Sequence, residues 1–518
     1  MGFSGDVHRL LFKTGGFNAN PNVDELPDTS MLVGSKNVNL HSGGRQKRGG
    51  TAFDFTAISG TSITGLHHFA KRNGDVFLPF TTGNGKIYSR PSTVLKTGLA
   101  TNKISSFTTY LNSVYIMNVA NKVQVWDGVA GSTSDLGNYP ADWGTGSPLQ
   151  IVVHGRQNSL RAFAIGVTGF ENNLYASALD SDDFGTSPLV FNIETGAPYG
   201  IRGAVEFGNR LILFSRDRAY ILEDTDPSTA NWGYSGAQWI GGVASYRLIV
   251  RLPNDVICMT EDGEIYSVTA AQSYGDYKAA SISKPSFINN WIKSNVDLTV
   301  ARTKFHAVYD PILRAVKFFV VRSGQTTVDT ALVFFTDRDP SEAWSIHSDT
   351  SVSGYRAQAS AYAQDSNAAF TVLTGDYAGQ VWRHEQNTLK DNNSAYTVTF
   401  LTPSMSFGDP RTQKKYKRVH FVSNIIDAST IRVKVYIDGE QRSDNTVDVP
   451  PLGATIGSAI FGTSIFGAAS LPTLTSQVEA IGTRIQFEVS NDVVDEEFFI
   501  TQMMIDYRML GRKAGWSK

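Results

Sequence analysis

The sequence predicts an all-β fold, and three observations carry this prediction. Alternating polar and apolar runs recur along the chain between Gly, Asn and Asp turns, whereas the i, i+3, i+4, i+7 spacing of an amphipathic helix is hard to find. Aromatic residues make up 11% and charged residues only 18% of the chain, which suits extensive buried surface. A strand–turn–strand unit recurs roughly every 40–50 residues, an interval typical of a β-propeller.

Each repeat is predicted to be a hairpin whose second strand ends in an aromatic or apolar pair. The seven pairs are Val76–Phe80 with Ile87–Tyr88, Val114–Met117 with Val125–Trp126, Phe163–Ile165 with Leu174–Tyr175, Leu211–Phe214 with Ala219–Tyr220, Val256–Met259 with Ile265–Tyr266, Val316–Val321 with Leu332–Phe335, and Phe370–Leu373 with Val381–Trp382. Turn pairs such as Asn84-Gly85 and Asp262-Gly263 favour hairpins, because residues with φ > 0 match the twist of the strands. We expect seven blades, or six if one hairpin lies outside the ring.

The segments between hairpins can supply the remaining strands of each blade. Three such segments are Ile104–Tyr110, Ile201–Phe207 and Tyr355–Tyr362. They carry the same alternation of polar and apolar residues as the hairpin strands. A blade would then contain one predicted hairpin and the strands on either side of it.

The chain divides into three predicted regions. Residues 1–60 include the half-buried strand Asn37–His41, residues 61–388 contain the repeats, and residues 389–518 have longer alternating strands. These longer strands suit a β-sandwich, with Asp438-Gly439 as one of its hairpin turns. They are Tyr396–Leu401, Arg418–Val422, Ile431–Ile437, Arg484–Val489 and Phe498–Tyr507.

Charge and cysteine content exclude several function classes. The formal net charge is −2, so the chain has no global basic field with which to grip a nucleic acid. Cys258 is the single cysteine, which rules out a disulfide within the chain and a cysteine-based zinc cage. We expect Cys258 to be a buried thiol, because it follows apolar residues in a strand-like run.

Targeting signals are not evident in the sequence. The N-terminal residues do not combine a cationic segment with a hydrophobic run, and no apolar stretch reaches the ~18–20 residues of a transmembrane helix. The sequence therefore predicts a protein made in a cytoplasm, without membrane insertion.

Catalytic patterns are weak, so we expect no enzymatic activity, no cofactor and no bound metal. The nucleophile elbow, the phosphate-binding glycine loop and the zinc-binding His-Glu-x-x-His helix do not occur. Ser181–Thr186 reads as an Asp-rich turn. Glycoside hydrolysis needs two carboxylates at a defined separation across a cleft, whereas Asp224 with Asp226 and Asp495 with Glu497 lie in loop-like contexts.

Two basic clusters are candidate docking sites. The first contains Arg45, Lys47 and Arg48, and the second contains Arg411, Lys414, Lys415, Lys417 and Arg418. Each cluster is either solvated loop charge or a patch that docks an acidic partner or contacts a phosphate backbone.

An uncharged segment is a candidate subunit or channel contact. Leu452–Ser470 carries the Ile-Phe-Gly sequence twice, and the apolar residues of the two copies are Ile460, Phe461, Ile465 and Phe466. The segment is either a loop packed on its own domain or an interaction surface, because exposed apolar patches normally mark contacts.

Both ends of the chain resemble tail nozzle proteins of short-tailed bacteriophages, also called tail tubular protein B or packaged-DNA stabilisation proteins. The N-terminal match is Asn37–Phe55, in which an Asn-rich strand and a Gly turn precede the basic stretch Arg45–Thr51. The C-terminal match includes Lys414–Val422, Gly482–Val489 and the run from Phe498 to Trp516.

The resemblance implies a structural virion protein of the tail that is assembled in the cytoplasm of a bacterial host. It implies a homohexameric ring below the dodecameric adaptor of the portal, with a platform domain built from both termini beside the propeller. Such a ring would retain packaged DNA, guide double-stranded DNA during ejection without sequence specificity, and contact tail fibre or spike proteins. The alternatives are a carbohydrate-active or host-receptor-binding propeller of the tail, and a monomeric propeller that binds peptides.

Overall fold

Strands make up most of the regular structure in the computed structural model. The structure describes residues 6–40, 43–129, 131–156, 159–186, 189–194, 200–226, 228–348, 354–386, 388–423, 428–449 and 473–512.

Seven small antiparallel sheets follow one another along the central part of the chain. Sheet 1 contains Ile63–Leu66, Pro79–Thr82, Lys86–Ser89 and Thr93–Lys96; sheet 2 contains Ser106–Tyr110, Ser113–Met117, Gln124–Trp126 and Ser134–Asp135; sheet 3 contains Gln150–Arg156, Ser159–Val167, Phe170–Ala176 and Leu189–Asn192; sheet 4 contains Gly203–Phe207, Arg210–Phe214, Ala219–Glu223 and Gly233–Ala237. Sheet 5 contains Ile249–Arg251, Val256–Met259 and Ile265–Ser267; sheet 6 contains His306–Asp310, Ala315–Val320, Thr330–Phe335 and Trp344–Ser348; sheet 7 contains Ala357–Gln364, Phe370–Asp376, Gln380–Gln386 and Gly50–Thr56.

Six of the predicted hairpins are confirmed as the second and third strands of sheets 2 to 7. The first is confirmed in part, because the strand of sheet 1 is Pro79–Thr82 and the predicted Val76–Phe80 is divided, with Val76–Phe77 pairing with Phe69–Ala70. Val114 lies opposite Trp126 in sheet 2, and Leu213 lies opposite Tyr220 in sheet 4. Their strands are apolar on both faces because both faces of each sheet pack against neighbours. The three segments predicted between hairpins likewise provide the first strands of sheets 2, 4 and 7.

The first strands of successive sheets lie side by side. Each first strand contacts the first strand of the next sheet, and the first strand of sheet 7 contacts that of sheet 1. Sheet 7 takes its outer strand, Gly50–Thr56, from the N-terminal part of the chain. Phe53 of this strand lies edge-on to Trp382, 5.9 Å between ring centroids. The sequence analysis had assigned all of residues 1–60 to the terminal domain, and this pairing places 50–56 in sheet 7 instead.

Sheet 5 has three strands, and short helices follow its last strand at the place where most of the other sheets have a fourth strand. The α-helices are Val268–Tyr274, Ile288–Asn295 and Ala301–Lys304, and the 3₁₀ turns are Val23–Glu25, Ala141–Trp143, Thr229–Asn231, Tyr246–Leu248 and Leu298–Val300. Ser267 begins the first α-helix, because its hydroxyl accepts the N–H of Ala270. Gly275 ends that helix in the left-handed conformation. A two-stranded ribbon, Phe69–Ala70 with Val76–Phe77, comes between the first and second strands of sheet 1 in the sequence.

Two further sheets lie outside the seven, and we call them the terminal sheets: the six-stranded one combines both ends of the chain, and the four-stranded one comes from the C-terminal part. The six-stranded one contains Asp6–Leu11, Val38–Asn39, Arg45–Lys47, Thr412–Ser423, Thr473–Gly482 and Phe499–Arg512, and the four-stranded one contains Val398–Leu401, Ser429–Ile437, Glu440–Val449 and Ile485–Asn491. Alternate residues on facing strands are buried, such as Val419 and Phe421 against Val433 and Val435. They belong to one apolar cluster that continues into sheets 5 and 6.

Candidate functional site

The first basic cluster is buried between the terminal sheets and sheets 6 and 7. Arg45 and Arg48 are 0% exposed and Lys47 is 1% exposed. The prediction that these three residues form a docking patch is therefore wrong. Arg45 and Lys47 lie two apart in a strand, so both side chains enter the same packed layer.

Arg48 is held by an acidic partner and two aromatic rings. Its Nη1 donates to Asp391 Oδ1 at 2.9 Å, and its Nη2 donates to the second oxygen of the same carboxylate. The Arg48 guanidinium carbon lies 4.4 Å from the ring centroid of Tyr355 and 3.9 Å from that of Tyr396. Burial disfavours the charged guanidinium, but the Asp391 carboxylate outweighs it, and the pKa of Arg48 lies above its ordinary value. Thr51 also binds Asp391 through its N–H and hydroxyl.

The other two cations of the cluster are bound by neutral oxygens. Lys47 Nζ donates to Asn491 Oδ1 and to the Val493 carbonyl, both at 2.9 Å. Burial, with the charge of Arg48 nearby, lowers the pKa of Lys47 to about 8. Arg45 donates to backbone carbonyls at Phe12, Thr14, Gly15 and Thr29. Both side chains are buried, so their donors lie out of reach of an external acidic group.

A second buried ion network lies beside the first, and the sequence analysis missed it. Lys317 Nζ contacts Glu385 Oε1 at 2.9 Å and Asp310 Oδ2 at 3.4 Å. Glu385 Oε2 accepts the side-chain amide of Asn39 and the N–H of Gly49. Burial raises the pKa of Glu385, but the attraction of Lys317 prevails and lowers it to about 2. Glu385 is 68 positions from Lys317 and more than three hundred from Asn39 and Gly49, so no local pattern signals the network.

Lys414 of the second basic cluster is also buried, and its predicted docking role is wrong. The side chain is 0% exposed, and Nζ donates to the carbonyls of Asp409 and Thr412 at 3.2 and 3.0 Å. Burial lowers its pKa below the ordinary lysine value. Lys414 alternates with outward residues along the strand Thr412–Ser423, so it faces the packed side of the sheet.

The remaining cations of this cluster lie towards solvent. Arg411 and Arg418 are exposed, and Lys415 and Lys417 are partly exposed. Lys415 Nζ lies 3.1 Å from Glu479, and Arg411 lies 3.6 Å from Asp409. Both pairs are exposed ion pairs, which hold their partners only weakly.

Three cross-strand rows define what we call the outer face, the solvent side of the six-stranded sheet. One row is Val7, Asp506, Arg418 and Gln477; the next is Arg9, Met504, His420 and Thr475; the third is Leu11, Gln502 and Val422. Lys415 lies beyond the first row and pairs in register with Arg508 and Ile481. Arg9, Lys415, Arg418 and Arg508 outnumber the carboxylates Asp506 and Glu479 here. The outer face is therefore basic and partly apolar.

A small polar cavity lies where the first strands of the seven sheets meet, and we call it the central cavity. Its volume is about 170 Å³. Six of its lining residues come from six different sheets or the turns beside them: His67, Ser106, Gln150, Arg247, His306 and Ser360. Burial lowers the pKa of His67 to about 4, and burial together with Arg247 lowers that of His306 well below its ordinary value. Both imidazoles are consequently neutral at pH 7.

Other residues considered for chemistry are engaged elsewhere. Cys258 is fully buried, and burial raises the pKa of its thiol. Asp224 Oδ2 contacts His154 at 2.9 Å, and Asp495 contacts Lys390 at 2.6 Å. Among the described residues, no three His, Cys, Asp or Glu side chains gather as metal ligands would. None of the helices that the structure describes has the length and apolar content needed to cross a membrane.

The uncharged segment with Ile460, Phe461, Ile465 and Phe466 lies outside the described residues. Its predicted role as a subunit or channel contact therefore stays a prediction.

Comparisons with known proteins give low similarity throughout. No family model and no curated protein matches the chain. An exo-β-1,3-galactanase from Phanerochaete chrysosporium is 10% identical, with a TM-score of 0.26 over 88% of this chain and 100% of that one. PorZ, a surface component of the type-IX secretion system of Porphyromonas gingivalis, is 11% identical, with a TM-score of 0.34 over 76% of this chain and 46% of that one. The extracellular domain of a one-component system from B. thetaiotaomicron is 12% identical, with a TM-score of 0.35 over 71% and 42%.

One expectation is corrected by these comparisons. The sequence analysis expected no enzymatic activity, yet solved structures similar to the chain include a glycoside hydrolase, the exo-β-1,3-galactanase, with bound galactose or β-1,3-galactotriose. The expectation is withdrawn. At this identity and TM-score, the similarity carries no argument for a particular reaction.

Proposed function

We propose that the seven sheets are the blades of a closed β-propeller and that the terminal sheets form a β-sandwich platform. Two observations support this arrangement. The first strands contact one another in cyclic order, including sheet 7 with sheet 1. The strand Gly50–Thr56 completes the last sheet with a segment from before the first, which joins the two ends of the ring through backbone hydrogen bonds. A ring of blades leaves only short, protected strand edges.

We propose that the chain is a structural component of a phage tail, a nozzle ring below the portal adaptor. The observation that carries the proposal is where the resembling residues lie. Arg48 and Thr51, both within the N-terminal match, bind the carboxylate of Asp391, and Asn37 of the same match accepts from Arg48 Nε. The C-terminal match supplies the long strands of the six-stranded sheet. The resembling residues therefore lie in the proposed platform and at its junction with the proposed propeller. This placement is expected if the chain has the same domain arrangement as the nozzle proteins.

The Arg48–Asp391 contact would make the junction between platform and propeller rigid, which suits a protein under mechanical force. A buried guanidinium with a bidentate carboxylate and two stacked rings fixes orientation as well as distance, because a planar fork binds in one geometry. The Lys317–Glu385 network lies beside it. Together they would resist movement of the platform against the propeller while DNA is retained under pressure.

The DNA path would lie between copies of the chain. The central cavity, about 170 Å³, is far too small for a duplex. A homohexameric ring supplies a wider opening on its symmetry axis. The formal net charge of −2 limits attraction to phosphates, so DNA would pass without tight or sequence-specific binding.

The outer face is the proposed contact with the dodecameric adaptor. Its exposed cations fit an acidic ring, and its exposed apolar residues, such as Val7 at 57% and Ile481 at 55%, would lose water on docking. Tail fibre or spike proteins would attach to other surfaces of the ring. The mature location would be the virion tail, after assembly in the bacterial cytoplasm.

Imaging of labelled virions tests the proposal. A tagged chain is expected on the tail axis below the portal, in six copies per particle. Finding it off the axis, or in no particle, would rule out a nozzle. A purified chain that cleaves a polysaccharide, and loses that activity when a carboxylate is replaced, would favour the carbohydrate-active alternative.

A further inference from the structure

Arg247 is an unusual cation because it lines the central cavity without an acidic partner. It lies in the 3₁₀ turn Tyr246–Leu248, just before sheet 5. Its Nη2 donates to the backbone carbonyl of Gln358, and its Nη1 has no hydrogen-bond partner among the described residues. No carboxylate in the described part of the chain forms a salt bridge with it, in contrast to Arg48 with its partner Asp391.

The electrostatic consequence is a positive cavity wall. Burial lowers the pKa of Arg247 below its ordinary value, which shows that its surroundings do not compensate the charge. No Asp or Glu lines the cavity among the described residues, and His67 and His306 are neutral. Arg247 is only partly exposed, so water offsets its charge incompletely, and an entering anion would lower that cost.

The rest of the wall is polar and ordered. His306 Nε2 lies 3.2 Å from the Ala357 carbonyl, which can only accept, so this nitrogen carries the proton. Nδ1 therefore accepts from the Ser360 hydroxyl at 2.8 Å. Gln150 is fixed by two hydrogen bonds to the backbone of Ala204, at 2.9 and 3.1 Å. A wall whose polar groups are already oriented costs little to organise around a ligand.

We propose that the central cavity is a binding site for one small oxyanion of the phosphate class, held by Arg247. The volume admits one phosphate with a few waters and is too small for a nucleotide chain. A guanidinium binds phosphate through parallel N–H donors, which is the geometry that arginine supplies best. The site does not depend on the proposed tail function, since it lies within a single chain.

Calorimetric titration of inorganic phosphate into the full chain tests the site. The unaltered chain is expected to bind one phosphate saturably, and Arg247→Gln is expected to weaken binding at least tenfold. Arg251→Gln is the matched control, because Arg251 lies nearby on a neighbouring strand but is paired with Glu206 and largely exposed. This control is expected to keep the affinity within twofold. Phosphate should also raise the melting temperature of the unaltered chain and not that of Arg247→Gln.

Three outcomes would overturn the proposal. They are the absence of saturable binding to the unaltered chain, equal affinity in a folded Arg247→Gln, and acetate binding as tightly as phosphate. Acetate carries one charge and is expected to bind at least tenfold more weakly. If Arg247→Gln does not fold, Arg247→Lys is the substitute, because it keeps the positive charge but lacks the two parallel N–H donors of the guanidinium. Unchanged phosphate affinity in Arg247→Lys would count against the site equally.

Discussion

At the residue scale, a basic sequence cluster turned out to be interior. Arg45, Lys47 and Arg48 could be picked out from the sequence as a group, but their burial could not. The reason is distance along the chain: the Asp391 carboxylate that neutralises Arg48 comes 343 positions later. A charge run is normally solvated, and only tertiary pairing reverses that expectation.

Removing the Arg48 guanidinium should destabilise the molecule strongly. Arg48→Met leaves the Asp391 carboxylate buried and unpaired, which typically costs about 3–5 kcal/mol. We expect a clear drop in the urea midpoint of unfolding, followed by circular dichroism. Arg411→Met is the matched control, because that side chain is 81% exposed and should change the midpoint little. A midpoint for Arg48→Met equal to that of the control would contradict the assigned role of the pair.

Acid should weaken the fold through Glu385. Its folded pKa of about 2 lies below the ordinary value of 4.5, so the unfolded chain takes up the proton first as pH falls. The stabilisation is complete above pH 4.5 and is lost as pH drops towards 2. Its size is of the order of 3 kcal/mol. His347, with its pKa lowered to about 3, adds a loss below pH 6.5.

Comparison with Glu385→Gln isolates this carboxylate from the histidines. The unfolding free energy of the unaltered chain should fall more steeply between pH 4.5 and 3 than that of the variant. Parallel pH profiles for the two proteins would show that Glu385 is not held in its charged form by Lys317.

At the element scale, local sequence pattern predicted hairpins well, whereas strand pairing between distant segments could not be predicted. Alternation and turn residues predicted six hairpins in full and the first in part, because a hairpin is set by neighbours in sequence. Asp438 and Gly439 both have positive φ, as predicted, whereas only the glycines do in Asn84-Gly85 and Asp262-Gly263. The strand Gly50–Thr56 was placed in the wrong domain, since its partner Gln380–Gln386 is more than three hundred residues away. No local signal reports such a partner.

The closing strand offers a matched pair of substitutions. Phe55 is 8% exposed and its ring centroid lies 5.8 Å from that of Phe80, whereas Phe53, two residues earlier in the strand, is 38% exposed. Phe55→Ala should lower the unfolding free energy by about 3 kcal/mol or more, through lost burial and a cavity. Phe53→Ala should cost about 1 kcal/mol, because much of its surface already meets water.

Proteolysis gives a local measurement of the same effect. If the strand closes sheet 7, Phe55→Ala should also speed cleavage within residues 50–60 more than Phe53→Ala does. Equal sensitivity of the two variants would mean that burial of this strand does not hold the closure.

At the scale of the whole molecule, strands from the two ends of the chain pair in one sheet, and the solvent side of that sheet is the outer face. Strands from residues 6–11, 412–423, 473–482 and 499–512 combine in the six-stranded sheet. The sequence patterning gave the two ends as separate regions, and only the resemblance implied a platform built from both termini. The sequence alone could not show that Lys414 is buried and Lys415 partly exposed. Which side chains of this strand face solvent depends on a bulge beside Tyr416 and on the side of the sheet that is packed. Only the solvent-facing cations can serve a partner.

Charge reversal on the outer face separates docking from folding. Lys415→Glu with Arg418→Glu replaces two solvent-facing cations, so the fold should remain while like charges meet an acidic adaptor, at a cost of about 1.4 kcal/mol or more. We expect about a tenfold drop in the particles that carry the chain, counted by electron microscopy.

Arg72→Glu with Lys103→Glu, two exposed cations beside sheets 1 and 2, makes the same change in net charge away from this face and should assemble normally. Lys414→Glu, by contrast, should fail to fold, because it buries a carboxylate among the carbonyls that now accept from Nζ. Normal assembly of the double outer-face variant would show that the adaptor docks elsewhere, since the cations that remain on this face could not offset two opposed carboxylates.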